Sequence, residues 1–156
     1  MIIRTYQPGD EEKIIQLSDK VLKEFGFAFS FQLDRDVLDI SKYYTRRNGQ
    51  YFVLVHDGDS GKEEIIGTIA VSKINEKICK LRHFYILKQF RHHGWGRKLY
   101  EEALEFIRSA GYREIWLSTA PQFADAIHFY EHNGFVRSPK ALWPYQRAGI
   151  FYTLKL

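Results

Sequence analysis

The chain has one cysteine, Cys79, in 156 residues, which excludes an internal disulfide framework and a metal site built from cysteines. No apolar run approaches the roughly 20 residues of a membrane-crossing helix. The opening Met1-Ile2-Ile3-Arg4-Thr5 lacks a signal-peptide layout, so a cytoplasmic protein without a membrane partner is expected. Internal repeats, low-complexity tracts and linker-like stretches are missing as well, and a single domain over residues 1–156 follows. Metal motifs are also lacking. His92 and His93 are adjacent, so their rings diverge in extended backbone, and His128-x-x-x-His132 has no Glu after its first histidine. Neither common nucleotide loop is present: Arg97-Lys98 after Gly96 does not complete a Walker motif, and Leu99 stands where a dinucleotide fingerprint needs its third glycine.

What is there reads as an ordinary soluble composition, 45% hydrophobic and 27% charged, enough to build one sizeable core. The net charge of +4 is unevenly placed. Lys88 to Lys98 holds four basic residues and no acid, whereas Asp10 to Asp39 holds eight acids against four bases. A compact basic patch suits a polyphosphate ligand better than a long nucleic-acid footprint, and no nucleic-acid partner is expected.

Pattern places the elements. Ile2–Tyr6 reads as a strand, Asp10 as the cap of a helix with Ile14, Leu17, Val21 and Phe25 on its buried stripe. An aromatic loop spans Glu24–Phe31, and Val37-Leu38 with Ile40–Tyr44 suggests a short second helix before the Asn48-Gly49 turn. Strands follow over Tyr51–His56, Ile65–Ile74 and Ile78–Ile86. A helix bearing Leu99, Ala103, Phe106, Ile107 and Ala110 stops at Gly111. Glu114–Ser118 is a fifth strand, a short helix runs from about Phe123 to Asn133-Gly134, and Phe135-Val136 and Gly149–Leu156 complete the sheet.

Between the fourth strand and the long helix lies Arg91-His92-His93-Gly94-Trp95-Gly96. A helix start offers unpaired N–H groups and partial positive charge, and glycines let an anion reach them, which makes this segment a phosphate cradle. Its [QR]-x-x-G-x-[GA] pattern resembles the acetyl-CoA pyrophosphate loop of the GNAT superfamily of N-acetyltransferases. Phe84-Tyr85-Ile86 stands where that family ends its fourth strand. Ala126-Ile127-His128-Phe129-Tyr130-Glu131-His132-Asn133-Gly134-Phe135 resembles its A-x-x-x-Y-x-x-x-G-F segment. The resemblance covers roughly residues 78–136.

It implies a single-domain α/β (α+β) fold with a mixed, mostly antiparallel sheet, splayed between strands 4 and 5 and flanked by helices. Acetyl-CoA is then the acetyl donor, held by Phe84, Tyr85 and Ile86 and by Arg91, His92, His93, Gly94, Trp95, Gly96, Arg97 and Lys98. Tyr130 is the expected general acid toward the departing thiolate. Two positions depart from the family pattern: Lys80 occupies the usual strand-four Glu position, and Phe123 replaces an Asn often found seven residues before the tyrosine. The base is therefore open, with a water relay to His83 or Glu24 as the alternatives, while Cys79 reads as a packed strand residue. The acidic segment puts Glu24 and Asp34 in the acceptor wall, suited to a cationic amine. The expected activity is direct acetyl transfer to a primary amine of a small molecule. Transfer to a protein lysine or N-terminus, and a CoA-binding module without turnover, are the alternatives, and a homodimer is left open.

Overall fold

Tyr51, Val53 and Val55 alternate with Phe52 and Leu54, so both faces of one strand are apolar and it must lie between two layers. The computed structural model, which describes residues 1–144 and 149–156, places it there. The strands are β1 (Ile2–Thr5), β2 (Gln50–Asp57), β3 (Glu63–Lys73), β4 (Ile78–Ile86), β5 (Glu114–Thr119), β6 (Val136–Arg137) and β7 (Ile150–Lys155). They form one sheet in the order β1-β2-β3-β4-β5-β7-β6. Only the β4–β5 pair is parallel.

Helices α1 (Glu11–Glu24) and α2 (Ile40–Tyr43) pack on one face, α3 (Trp95–Ser109) and α4 (Ala124–His132) on the other. Ile14, Leu17 and Val21 of α1 meet Tyr51, Val53 and Val55. Leu99, Ala103 and Ile107 of α3 meet Phe52 and Leu54. Burying each large apolar side chain stabilises by roughly 1.5–3 kcal/mol, and these stripes fix both helices to the sheet. Phe25, the last member of the expected α1 stripe, is only half-buried and closes the helix instead.

Asp10 does not cap α1 through its side chain. Its carboxylate accepts two bonds from the Arg4 guanidinium, at 2.8 and 3.0 Å, and one from the Gln7 N–H at 2.8 Å. A bidentate, charge-assisted pair outcompetes the cap.

Two irregularities shape the middle of the sheet. Ala70 pairs with Arg82 and Thr68 with Tyr85, so two residues of β4, His83 and Phe84, oppose Ile69 alone. This is a β-bulge, with His83 at φ +49° and its carbonyl accepting from the Thr68 hydroxyl at 2.7 Å. Side-chain parity changes across it. Cys79 and Leu81 face the α3 core before the bulge, Phe84 and Ile86 after it, while Tyr85 packs on the α1 core. The second irregularity is a fork: β4 and β5 pair only through Ile78–Glu114, Cys79–Ile115 and Lys80–Trp116, and then part.

Candidate functional site

A parted pair of parallel strands leaves a gap within a sheet, and side chains from both layers turn into it. A cleft of about 500 Å³ opens on the α3 side of the fork, and a cavity of about 230 Å³ lies beside it. Phe84, Tyr85, Phe123 and Ala126 line both, so the two meet at the end of β4. Phe123 is held there by ring contacts with Phe25 (4.8 Å) and Phe27 (5.5 Å), which bind the loop after α1 to the start of α4.

The larger cleft ends at the start of α3. Gly94, the residue before the helix, has φ +84°, and a side chain there would be strained although space is open. Gly96 differs. Its backbone is helical, but a Cβ would point toward Ile86 Cδ1 at 3.5 Å and Phe84 Cζ at 3.8 Å, both on the cleft wall. The first-turn N–H groups of a 15-residue helix thus face a concavity free of side-chain bulk.

Of the residues expected to hold the cofactor, Phe84, Tyr85, Ile86, Arg91, His92, Gly94, Gly96 and Arg97 line this cleft. The side chains of His93, Trp95 and Lys98 do not: Trp95 packs on the α3 core with the Lys98 ammonium 4.4 Å from its ring centroid, and His93 is exposed. Arg91 has a structural task. Its Nε donates to the Ile86 carbonyl at 2.7 Å and its two terminal nitrogens to Glu24 at 2.9 and 3.1 Å, tying the loop to β4 and α1. Glu24 is consequently not in the acceptor wall as expected. A guanidinium fork takes both its oxygens beside the larger cleft.

The smaller cavity holds the titratable groups. Tyr130, on α4, is 7% exposed and lines it, with ring contacts to Phe84, Phe135 and Tyr152. Burial raises the phenol well above its ordinary value, so it stays protonated, and its hydroxyl has no hydrogen-bond partner among the described residues. Opposite stands His83, turned into the cavity by the bulge. Its Nε2 lies 2.7 Å from Asp36 Oδ2, which also accepts from the Tyr44 hydroxyl and faces Arg82 Nη1 at 3.4 Å. Burial opposes the charge on Asp36, but His83, Arg82 and Tyr44 outweigh it and hold the carboxyl far below the usual range. With Asp36 on Nε2, a neutral ring keeps its proton there and presents Nδ1 as the acceptor.

Asp34 lines the same cavity but is 2% exposed and accepts from the Ser30 N–H at 2.9 Å. Lys80 is half-buried, its Nζ 3.7 Å from the Trp143 ring centroid, and burial together with Arg82 lowers its ammonium to about 7. Cys79 is buried, and burial pushes its thiol up to about 12, which removes it as a nucleophile. His128 and His132 stack on an exposed face, and the described residues contain no group of three metal-ligating side chains. Nor is any described helix long and apolar enough to cross a membrane.

Asp36 and Trp143 did not stand out in the sequence. For Asp36 a signal existed: with Val37, Ile40 and Tyr44 it lies on a stripe at three- to four-residue spacing, and an acid on a buried stripe requires a partner. Trp143 has no comparable signal.

A family model described as the acetyltransferase (GNAT) family matches residues 15–135. The chain belongs to the GNAT acetyltransferase family. This GNAT chain is 25% identical over 147 residues to an uncharacterized N-acetyltransferase, YjgM, of Escherichia coli, covering 90% of this chain and 85% of that one. It spans about half the length of the N-acetyltransferase 8 relatives it matches, 52% of rat N-acetyltransferase 8B and 48% of human N-acetyltransferase 8. Its GNAT fold superposes on a Staphylococcus aureus GNAT acetyltransferase with a TM-score of 0.87 at 22% identity, covering 99% and 98% of the two chains. It also superposes on PaiA N-acetyltransferase of Thermoplasma acidophilum, solved in complex with coenzyme A, with a TM-score of 0.73 at 17% identity over the full length of both.

Proposed function

We propose that this GNAT domain transfers acetyl from acetyl-CoA directly to the primary amine of a small molecule, both substrates being bound at once. The observation that carries the reading is the junction of two unequal cavities at Phe84, Tyr85, Phe123 and Ala126. A long cleft closed by a helix N-terminus fits a pantetheine with its pyrophosphate, and a smaller cavity with ionisable groups fits an amine. Complexes of GNAT relatives with coenzyme A or acetyl-CoA support the same donor here.

In this reading the N–H groups of the first turn of α3 and the side chain of Arg97 hold the phosphates, and the β4 backbone from Phe84 to Ile86 pairs with the pantetheine amides. Bound there, acetyl-CoA supplies an activated thioester. Tyr130 donates a hydrogen bond, and then its proton, to the sulfur that leaves. An alkyl ammonium of pKa about 10.4 has to lose a proton before it can attack. His83 Nδ1 receives that proton, directly or through one water, and Asp36 steadies the imidazolium that results. The phenol thus serves as acid and the imidazole as base, on opposite walls.

The test is release of free CoA by the purified protein with acetyl-CoA and a panel of amines, with the acetylated amine identified by mass spectrometry. Amine-dependent release is expected. Stoichiometric acetyl-CoA binding with no transfer to any amine would instead identify a binding module.

A further inference from the structure

Two basic side chains, Lys80 and Arg82, line the acceptor cavity, and they differ in their partners. Arg82 lies 3.4 Å from Asp36 and also feels the charge of Asp34, which accepts from the Ser30 N–H. Lys80 makes no ion pair among the described residues, and its ammonium rests only on the face of Trp143. It sits in the last paired rung of β4 and β5, at the root of the fork, and lines the cavity three residues before His83 on the same strand. A half-buried ammonium without a counter-ion is unfavourable, and burial lowers it to about 7 as a result. An anion brought by the substrate would restore the missing partner. Leu22, Leu33, Phe123 and Trp143 give the wall an apolar part, beside Ser118 and Thr119.

We infer that the acceptor is an amine that also bears a carboxylate and an apolar side chain, with Lys80 as the residue that binds the carboxylate while the amine faces His83 and Tyr130. This inference rests on the acetyl-transfer reading and reverses the cationic acceptor expected from the acidic segment. Glu24 is held by Arg91 outside the cavity, and Asp34, which lines it, is almost fully buried and accepts from the Ser30 N–H.

Amino acids and their amides, assayed in parallel, separate the possibilities. The wild type should favour the acids over the amides by roughly 10- to 100-fold in kcat/KM, mainly through KM, as for a hydrogen bond to a charged group. Lys80→Met, which preserves length and packing on Trp143, should bring that ratio close to one, and Lys80→Arg should recover part of it. Amides that react as well as acids in the wild type, or a preference untouched by Lys80→Met, would overturn the inference. Calorimetry with the CoA-loaded protein decides the point even if transfer itself fails. N-acetylphenylalanine should bind and its amide should not, the difference vanishing in Lys80→Met; equal binding of acid and amide, or of neither, sinks the Lys80 subsite.

Discussion

In the proposed reaction Tyr130 serves as the donor because burial keeps it protonated. Its raised pKa keeps the phenol protonated throughout the working range, and its hydroxyl has no competing partner among the described residues. Tyr130→Phe should lower kcat by roughly 10- to 1000-fold with little change in acetyl-CoA affinity, as for loss of one proton donor, measured by CoA release and calorimetry. In the same proposal Asp36 acts through His83, 2.7 Å away. Asp36→Asn keeps the shape but no longer stabilises an imidazolium, so kcat should fall roughly 100-fold or more while the KM for acetyl-CoA stays within twofold. Tyr130, the proposed acid, could be singled out in the sequence because it falls within a contiguous motif. The proposed base stood there only as one of two alternatives, His83 or Glu24, because His83 and Asp36 are 47 residues apart and a bulge, which strand periodicity does not announce, turns the ring toward its partner.

The start of α3 shows how neighbouring glycines serve different ends. Gly96→Val places methyl groups in the cleft beside Ile86 and Phe84, whereas its backbone angles suit any residue. The variant should fold, because valine has a higher helix propensity than glycine, and lose acetyl-CoA binding by calorimetry. Gly94→Ala takes no room from the cleft but puts a Cβ at φ +84°. It should destabilise by roughly 1 kcal/mol in urea denaturation and weaken acetyl-CoA binding less than Gly96→Val does. Local signatures placed this loop between β4 and α3 in advance. The task of Arg91 escaped notice because Glu24, its partner, lies 67 residues earlier and on another layer.

Across the whole molecule, buried charges set the response to pH. Lys80, facing Arg82, Asp36 and the Trp143 ring, has a folded value near 7, below the roughly 10.4 of an unfolded lysine. Between those values the unfolded chain binds more protons, so this side chain makes stability rise with pH from about 7 toward 10. Asp36 acts at the other end: its depressed carboxyl stabilises the fold above the unfolded value of about 3.9, and that contribution is lost as pH falls below it. Thermal melts of the wild type and Lys80→Met across pH 6–10 should converge on the alkaline side, with the variant more stable near neutrality. Equal pH slopes would mean that Lys80 keeps its proton when folded. The fold class was readable through the motifs that carry the family resemblance, and the two apolar faces of β2 agree with its two helical layers. The charge balance was not, since a net count does not show which acids are already occupied.

His83 also looks different as a unit of inheritance. The strand on either side of it alternates regularly, with Cys79 and Leu81 on the same face as Phe84 and Ile86, and Ile69 waits opposite with no single partner. Remove one codon, that of His83, and Phe84 drops into register with Ile69 while every other side chain of β4 keeps its layer. The proposed base is therefore the extra residue of the bulge: its loss would leave the α3 core and the cradle in place but take the partner from Asp36 and the ring stacked on Tyr51.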